Sequence, residues 1–148
     1  MTLYSPDVNT WLALAWEGHV HHEMAAAWIE GVAEPCQLLF SRYSQLGLLR
    51  LMTNAQVMGE SVVSIERAFA VYDDLLADPR IEFMREPENL ELLMRNVSKP
   101  FARQAATKLI GDFYLMAFAV ATEATMVTFD KAMARALRVR RSPVLLLS

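Results

Sequence analysis

The sequence predicts an α/β fold: a three-layer α/β/α sandwich whose central sheet of about five strands is mainly parallel. Three observations lead there. Five short apolar or β-branched runs alternate with helical segments along the 148 residues. Strands separated by helices are joined by crossovers rather than hairpins, which makes neighbouring strands parallel and covers both faces. The apolar fraction of 54%, with only 5 glycines and 6 prolines, is enough for a sizeable core. No repeat, linker or low-complexity stretch breaks this order, so residues 1–148 read as one domain.

The elements follow in order. Leu3 to Ser5 is the first strand, ended by Pro6-Asp7. Asp7 then caps a helix from Val8 to Glu17, where Trp11, Leu12, Leu14 and Ala15 recur at helical spacing. Gly18 stops it, and a second helix runs from about His21 through Trp28 and Ile29 to Val32. After Glu34-Pro35, Cys36 to Phe40 is a short apolar run broken only by Gln37, as in a strand buried on both faces. Ser41 or Ser44 caps a third helix that Asn54 closes, and Gly59 marks a loop.

A further helix starts at Ser64 and reaches Ala77, and Asp78-Pro79 turns into a strand from Ile81 to Arg85. Pro87 precedes a helix from Glu88 to Asn96, and Val97 to Arg103 reads as a loop. The most apolar helix begins at Thr107 or Asp112 and ends at Ala124. Thr125 to Phe129 is β-branched and aromatic, hence strand. A helix from Lys131 to Leu137 and a strand from Val144 to Leu147 close the order.

Composition removes several function classes. A net charge of −3 argues against indiscriminate nucleic-acid binding. One cysteine, Cys36, allows no internal disulfide and no cysteine-rich zinc site, and reads as a buried hydrophobe. The first residues show no signal-peptide pattern, and the longest apolar segment, Phe113 to Ala121, is far below the roughly 18 residues of a membrane span. These observations fit a cytoplasmic protein without membrane contact. Lys131, Arg135, Arg138, Arg140 and Arg141 cluster late in the chain, either as a phosphate-attracting tract or as a solvated helix face. His19, His21 and His22 have poor ligand spacing and read as a polar loop. Trp11, Trp16 and Trp28 read as packing.

Three aspartates carry the chemistry. Asp7 and Asp130 each stand immediately after a strand, on the sheet edge where α/β folds bind ligands. Asp112 follows Gly111 and reaches the same edge from the first turn of its helix. Singly, each is explained as a helix cap worth about 1 kcal/mol. Together they form a like-charge cluster that destabilises the fold unless a hard cation compensates it, and Mg²⁺ or Mn²⁺ suits such oxygen donors. The matching chemistry is a metal-activated water attacking a phosphodiester. Thr128 can hydrogen-bond a neighbouring carboxylate, and Asn9 can orient Asp7 or bind water.

Several segments occur together in one order: Pro6-Asp7-Val8-Asn9-Thr10-Trp11-Leu12-Ala13-Leu14, His19-Val20-His21-His22, Ser44 to Asn54, Gly111-Asp112-Phe113-Tyr114-Leu115 and Thr128-Phe129-Asp130. This ordered set resembles PIN-domain ribonuclease toxins of the VapC type, over essentially the whole chain. The resemblance implies a PIN-like α/β/α fold and Mg²⁺- or Mn²⁺-dependent cleavage of an RNA substrate. It also implies a small cognate antitoxin and a homodimer. It makes Asp7, Asp112 and Asp130 the metal-binding, catalytic acids, with Thr128 as their supporting hydroxyl. It places Arg50 near the site or an interface, while Arg42 and Lys131 are candidate phosphate contacts.

One residue departs from the family pattern. Where most members carry a glutamate at the head of the third helix, this chain has Gln45, within a Gln-Leu-Gly pattern that is itself a variant of the family. The lost charge implies one firmly held metal rather than two. Two rival functions remain. A phosphatase-like site is disfavoured because Asn9 stands where a second acid is needed. A catalytically degenerate domain acting as a protein-binding module has Gln45 as its support.

Overall fold

The computed structural model describes all residues, Met1–Ser148. Five parallel strands form one sheet: β1 Thr2–Pro6, β2 Cys36–Phe40, β3 Ile81–Phe83, β4 Thr125–Thr128 and β5 Val144–Leu146. Their spatial order is β3-β2-β1-β4-β5. The chain steps outward from β1 through β2 to β3, then returns to the other side of β1 to add β4 and β5. β1 and β4 are therefore neighbours across the reversal, with Tyr4 opposite Thr125 and Pro6 opposite Val127. Loops leaving two such strands diverge and open a crevice at their carboxyl ends.

Helices cover both faces. α1 Val8–Ala15, α2 His22–Gly31, α3 Arg42–Met52, the short α4 Ala55–Met58 and α5 Ile65–Leu76 lie on one side. α6 Leu90–Ser98, α7 Ile110–Thr122 and α8 Lys131–Val139 lie on the other. Alternation along β2 serves both layers: Leu38 and Phe40 pack with Trp11, Leu48 and Tyr72, whereas Leu39 packs with Phe113, Met116 and Leu137. Trp11 is fully buried and stacks on Phe40 at 3.7 Å between ring centroids. Cys36 is buried in the same layer, and that burial pushes its thiol up, consistent with a packing role.

Local chemistry accounts for where the helices begin. Ser41 caps α3 in a reciprocal arrangement with Ser44, each backbone N–H donating to the other's hydroxyl. The boundaries differ from the sequence reading in places. Asn54 does more than close α3: its side chain accepts the Gln56 N–H and starts α4. α1 ends at Ala15 because Trp16 adopts an extended backbone. α6 continues to Ser98 and a 3₁₀ turn follows at Lys99–Phe101, where a loop is expected from Val97; Val97 is buried and holds that last turn down. No helix is long and apolar enough to cross a membrane.

Candidate active site

The strand register brings the first and last thirds of the chain together. Asp7 directly follows β1, and its backbone N–H donates to the Val127 carbonyl of β4 at 3.0 Å. That pairing sets the Asp7 side chain beside Thr128, whose hydroxyl donates to Asp7 Oδ2 at 2.6 Å. Asp7 Oδ1 accepts the Thr10 N–H at 2.9 Å, as the N-cap of α1, and the Thr10 hydroxyl at 2.7 Å. All these groups are buried. The Thr128 oxygen also accepts the backbone N–H of Asp130 at 2.9 Å, so one hydroxyl joins the two strand ends. Asp130 in turn caps α8, its Oδ1 accepting from the Ala132 and Met133 amides at 2.9 and 3.2 Å.

Asp112 enters from the opposite layer, in the first turn of α7. With Asp7 and Asp130 it lines a cavity of about 430 Å³ at the strand crevice, together with Asn9, His21 and Tyr43. The electrostatics are those of crowded acids. Burial raises the Asp112 pKa from 3.8 to about 6, and the charges of Asp130 and Asp7 add to the rise. Burial likewise raises Asp7, outweighing the hydrogen bonds from Thr128 and Thr10 that favour its ionised form.

The donor chemistry can be counted. An ionised carboxylate offers about four lone-pair directions. Asp7 Oδ1 uses both of its own, while Oδ2 uses one on Thr128 and keeps one. Asp130 keeps Oδ2. Both oxygens of Asp112 remain. No three acidic, histidine or cysteine side chains are gathered tightly enough to grip an ion by themselves. The set therefore fits a hard cation that keeps several waters in its shell, and does not fit a closed all-protein cage.

The other residues singled out in the sequence are more scattered. Gln45 is buried but is not among the side chains lining the cavity, and its amide oxygen accepts from the Arg42 guanidinium. Helix geometry explains this: Tyr43, Gly47 and Leu51 share one face of α3 at four-residue spacing, and Gln45 sits half a turn away. Arg42 also lies 4.3 Å from the Phe83 ring. Arg50 and Lys131 are exposed and line no part of the cavity. The basic tract runs from the start of α8 into the turn after it, and the side chains of Arg135, Arg138 and Arg141 are exposed.

The sequence reading gave no site role to Thr10, His21, Phe129 or Tyr43, and gave Asn9 a different one. Thr10, three residues after Asp7, is the capping partner that a helix N-terminus implies. Asn9 does not hold Asp7; it pairs with His19, whose Nε2 lies 3.0 Å from Asn9 Oδ1. The His21 N–H donates to His19 Nδ1 at 3.0 Å, so that nitrogen is bare and the Nε2 proton goes to Asn9. Burial, and then the neighbouring histidines, lower the His19 pKa and favour this neutral form. His21 stacks on Phe129 with centroids 4.4 Å apart and planes at 12°. Tyr43 reaches over α7 at Gly111, where a Cβ would lie 1.8 Å from the Tyr43 hydroxyl.

Comparison with known proteins gives concordant results. The family model described as PIN domain matches residues 4–138. The chain is 40% identical over 131 residues to Ribonuclease VapC41 of Mycobacterium tuberculosis, covering 85% of this chain and 88% of that protein. Among solved structures, VapBC2 from Rickettsia felis bound to a DNA fragment from their promoter superposes with a TM-score of 0.73 at 14% identity, covering 99% of this chain and 100% of that one. VapC20 of Mycobacterium tuberculosis, a Sarcin-Ricin loop cleaving toxin, gives 0.63 at 15% identity, covering 90% and 94%. At such low identities the two structures speak for the fold.

Proposed function

The chain belongs to the PIN-domain family, and from that premise we propose that it is a divalent-metal-dependent endoribonuclease, the toxin of a toxin–antitoxin pair. The observation that carries this reading is the cavity at the β1–β4 crevice, lined by Asp7, Asp112 and Asp130. The likeness to a protein named a ribonuclease over most of the chain supplies the reaction class.

Asp7, Asp112 and Asp130 are the residues that would hold Mg²⁺ or Mn²⁺. Bound there, the cation lowers the pKa of water and offsets charge on the phosphodiester. The residues divide the remaining work. Thr10 and Thr128 hold Asp7 in one rotamer and leave one lone pair of Oδ2 unused. The α8 amides hold Asp130 by one oxygen and free the other. Asp112, with neither oxygen engaged, can adjust to the substrate. In the hydrolysis, a water oxygen bonds to phosphorus and the leaving oxygen departs with a proton. Gln45 stands outside the cavity and adds no negative charge, so the three aspartates would hold one metal firmly.

A small antitoxin is the proposed protein partner, in keeping with the VapBC likeness. Homodimerisation is a further expectation, which sedimentation of the pure protein tests. The decisive experiment incubates the pure protein with total RNA and Mn²⁺ or EDTA. Cleavage is expected with Mn²⁺ alone. Asp7→Ala and Asp130→Asn are expected to abolish both cleavage and growth arrest while remaining folded. A folded variant that cleaves normally refutes the assignment. A folded wild type that never cleaves RNA favours the protein-binding module instead.

A further inference from the structure

We propose that His21 and Phe129 form a stacking platform for one unpaired nucleobase of the RNA whose phosphodiester lies at the three aspartates, an inference that rests on the ribonuclease reading above. The two rings are nearly parallel, 4.4 Å apart and 12° between planes. Both line the acid-bearing cavity and both are partly exposed. The fold's other tight parallel stack, Trp11 on Phe40, is wholly buried and serves the core. The His21–Phe129 pair stands at a cavity wall, where packing alone gives no reason to gather aromatic surface.

The platform is built before substrate arrives. The His21 N–H is tied to His19 Nδ1, and His19 Nε2 to Asn9, which fastens the turn before α2 onto the first turn of α1. Phe129 sits between Thr128 and Asp130, two residues locked by the hydrogen bonds around Asp7. The spacing from ring to acids is thus set by the chain itself.

Charge shows why such a platform is needed. None of the 11 residues lining the cavity is a lysine or arginine, and Arg42, Arg50 and Lys131 all lie outside it. Within the cavity a nucleotide gains little by Coulomb attraction from side chains. Base stacking on aromatic faces supplies affinity there, and it tolerates any base because each has a π face. It requires the base to be unpaired, which selects single-stranded or looped RNA over duplex.

The test uses fluorescence anisotropy with three labelled ten-nucleotide probes: single-stranded RNA, its blunt duplex, and an abasic ribose-phosphate strand. Binding is measured in Ca²⁺ to the wild type, His21→Ala and His21→Phe, with gels confirming that the probes stay intact. The wild type is expected to prefer the single strand to both other probes. His21→Ala is expected to bind the single strand about tenfold more weakly while abasic binding is unchanged. His21→Phe is expected to restore affinity. Equal binding of the single strand by wild type and His21→Ala overturns the platform, as does an equal loss for the abasic probe or no preference over duplex. Cleavage of total RNA by the wild type is scored separately. Cleavage with an indifferent His21→Ala refutes the platform alone, whereas a wild type that neither binds nor cleaves RNA refutes the ribonuclease reading as well.

Discussion

The Thr128 hydroxyl lies 2.6 Å from Asp7 Oδ2 across the seam between β4 and β1, and its oxygen accepts the Asp130 amide at 2.9 Å. One side chain thus holds both acids that end the two central strands. Thr128→Val keeps the shape and removes the hydroxyl. It is expected to lower stability by about 1–3 kcal/mol, because a buried carboxylate loses a donor. RNA cleavage is expected to fall with it, and Thr128→Ser to recover most of both. Unfolding curves and cleavage assays on the three proteins check this.

Asp112 should weaken the metal-free fold at neutral pH. Its folded pKa is raised from 3.8 to about 6, so the native state binds more protons than the unfolded chain between those values. Stability is therefore higher below pH 4 and is lost as pH rises to about 6. The rise corresponds to at most about 3 kcal/mol, and solvent at a half-buried carboxylate reduces that to on the order of 1 kcal/mol. Asp112→Asn is expected to raise the midpoint of unfolding in EDTA at pH 8 and to give no gain at pH 4. Equal gains at both values would contradict the electrostatic origin.

Divalent cations should reverse that weakness. At a concentration 100 times its Kd, a ligand of the native state adds about 2.7 kcal/mol. Mg²⁺ or Mn²⁺ is expected to raise the wild-type Tm and to have little effect on Asp7→Asn. Calorimetric titration should find one tight Mn²⁺ site; two tight sites would refute the single-metal reading.

Gly111 gives Tyr43 its place. A Cβ at Gly111 would lie 1.8 Å from the Tyr43 hydroxyl and 2.5 Å from its ring carbon, so alanine there must push the ring aside. Alanine also favours a helix over glycine, by up to about 1 kcal/mol in an interior and by less in this first turn of α7. Gly111→Ala is expected to show that gain in a Tyr43→Ala background and to lose it in the wild type. Urea unfolding of the four proteins in a double-mutant cycle measures the coupling, and strict additivity would count against the contact.

Much of this arrangement could be read from local sequence. Asp7 and Asp130 cap helices directly after strands because short carboxylates satisfy open amides there, and both do so in the structure. β2 was legible because a parallel strand buried on both faces is largely apolar, and β4 because its residues are β-branched or apolar. Element ends were less legible. Whether α6 stops before or after Val97 depends on a buried contact that no propensity encodes. His21 read as part of a polar loop because its stacking partner, Phe129, is distant in the chain.

By itself the sequence determined the kinds of elements, their order, the three acids and the family to which the chain belongs. These are local or ordered properties: capping chemistry, hydrophobic period and motif sequence along one chain. Only the tertiary structure decided which groups meet. The return of the chain past β1 makes β4 its neighbour, and the register of Pro6 with Val127 then sets Asp7 against Thr128. The turn of α3 decides that Tyr43 lines the cavity and Gln45 does not. Strand pairing and helix rotation come from packing against distant residues, so neither is written in any short stretch of the chain.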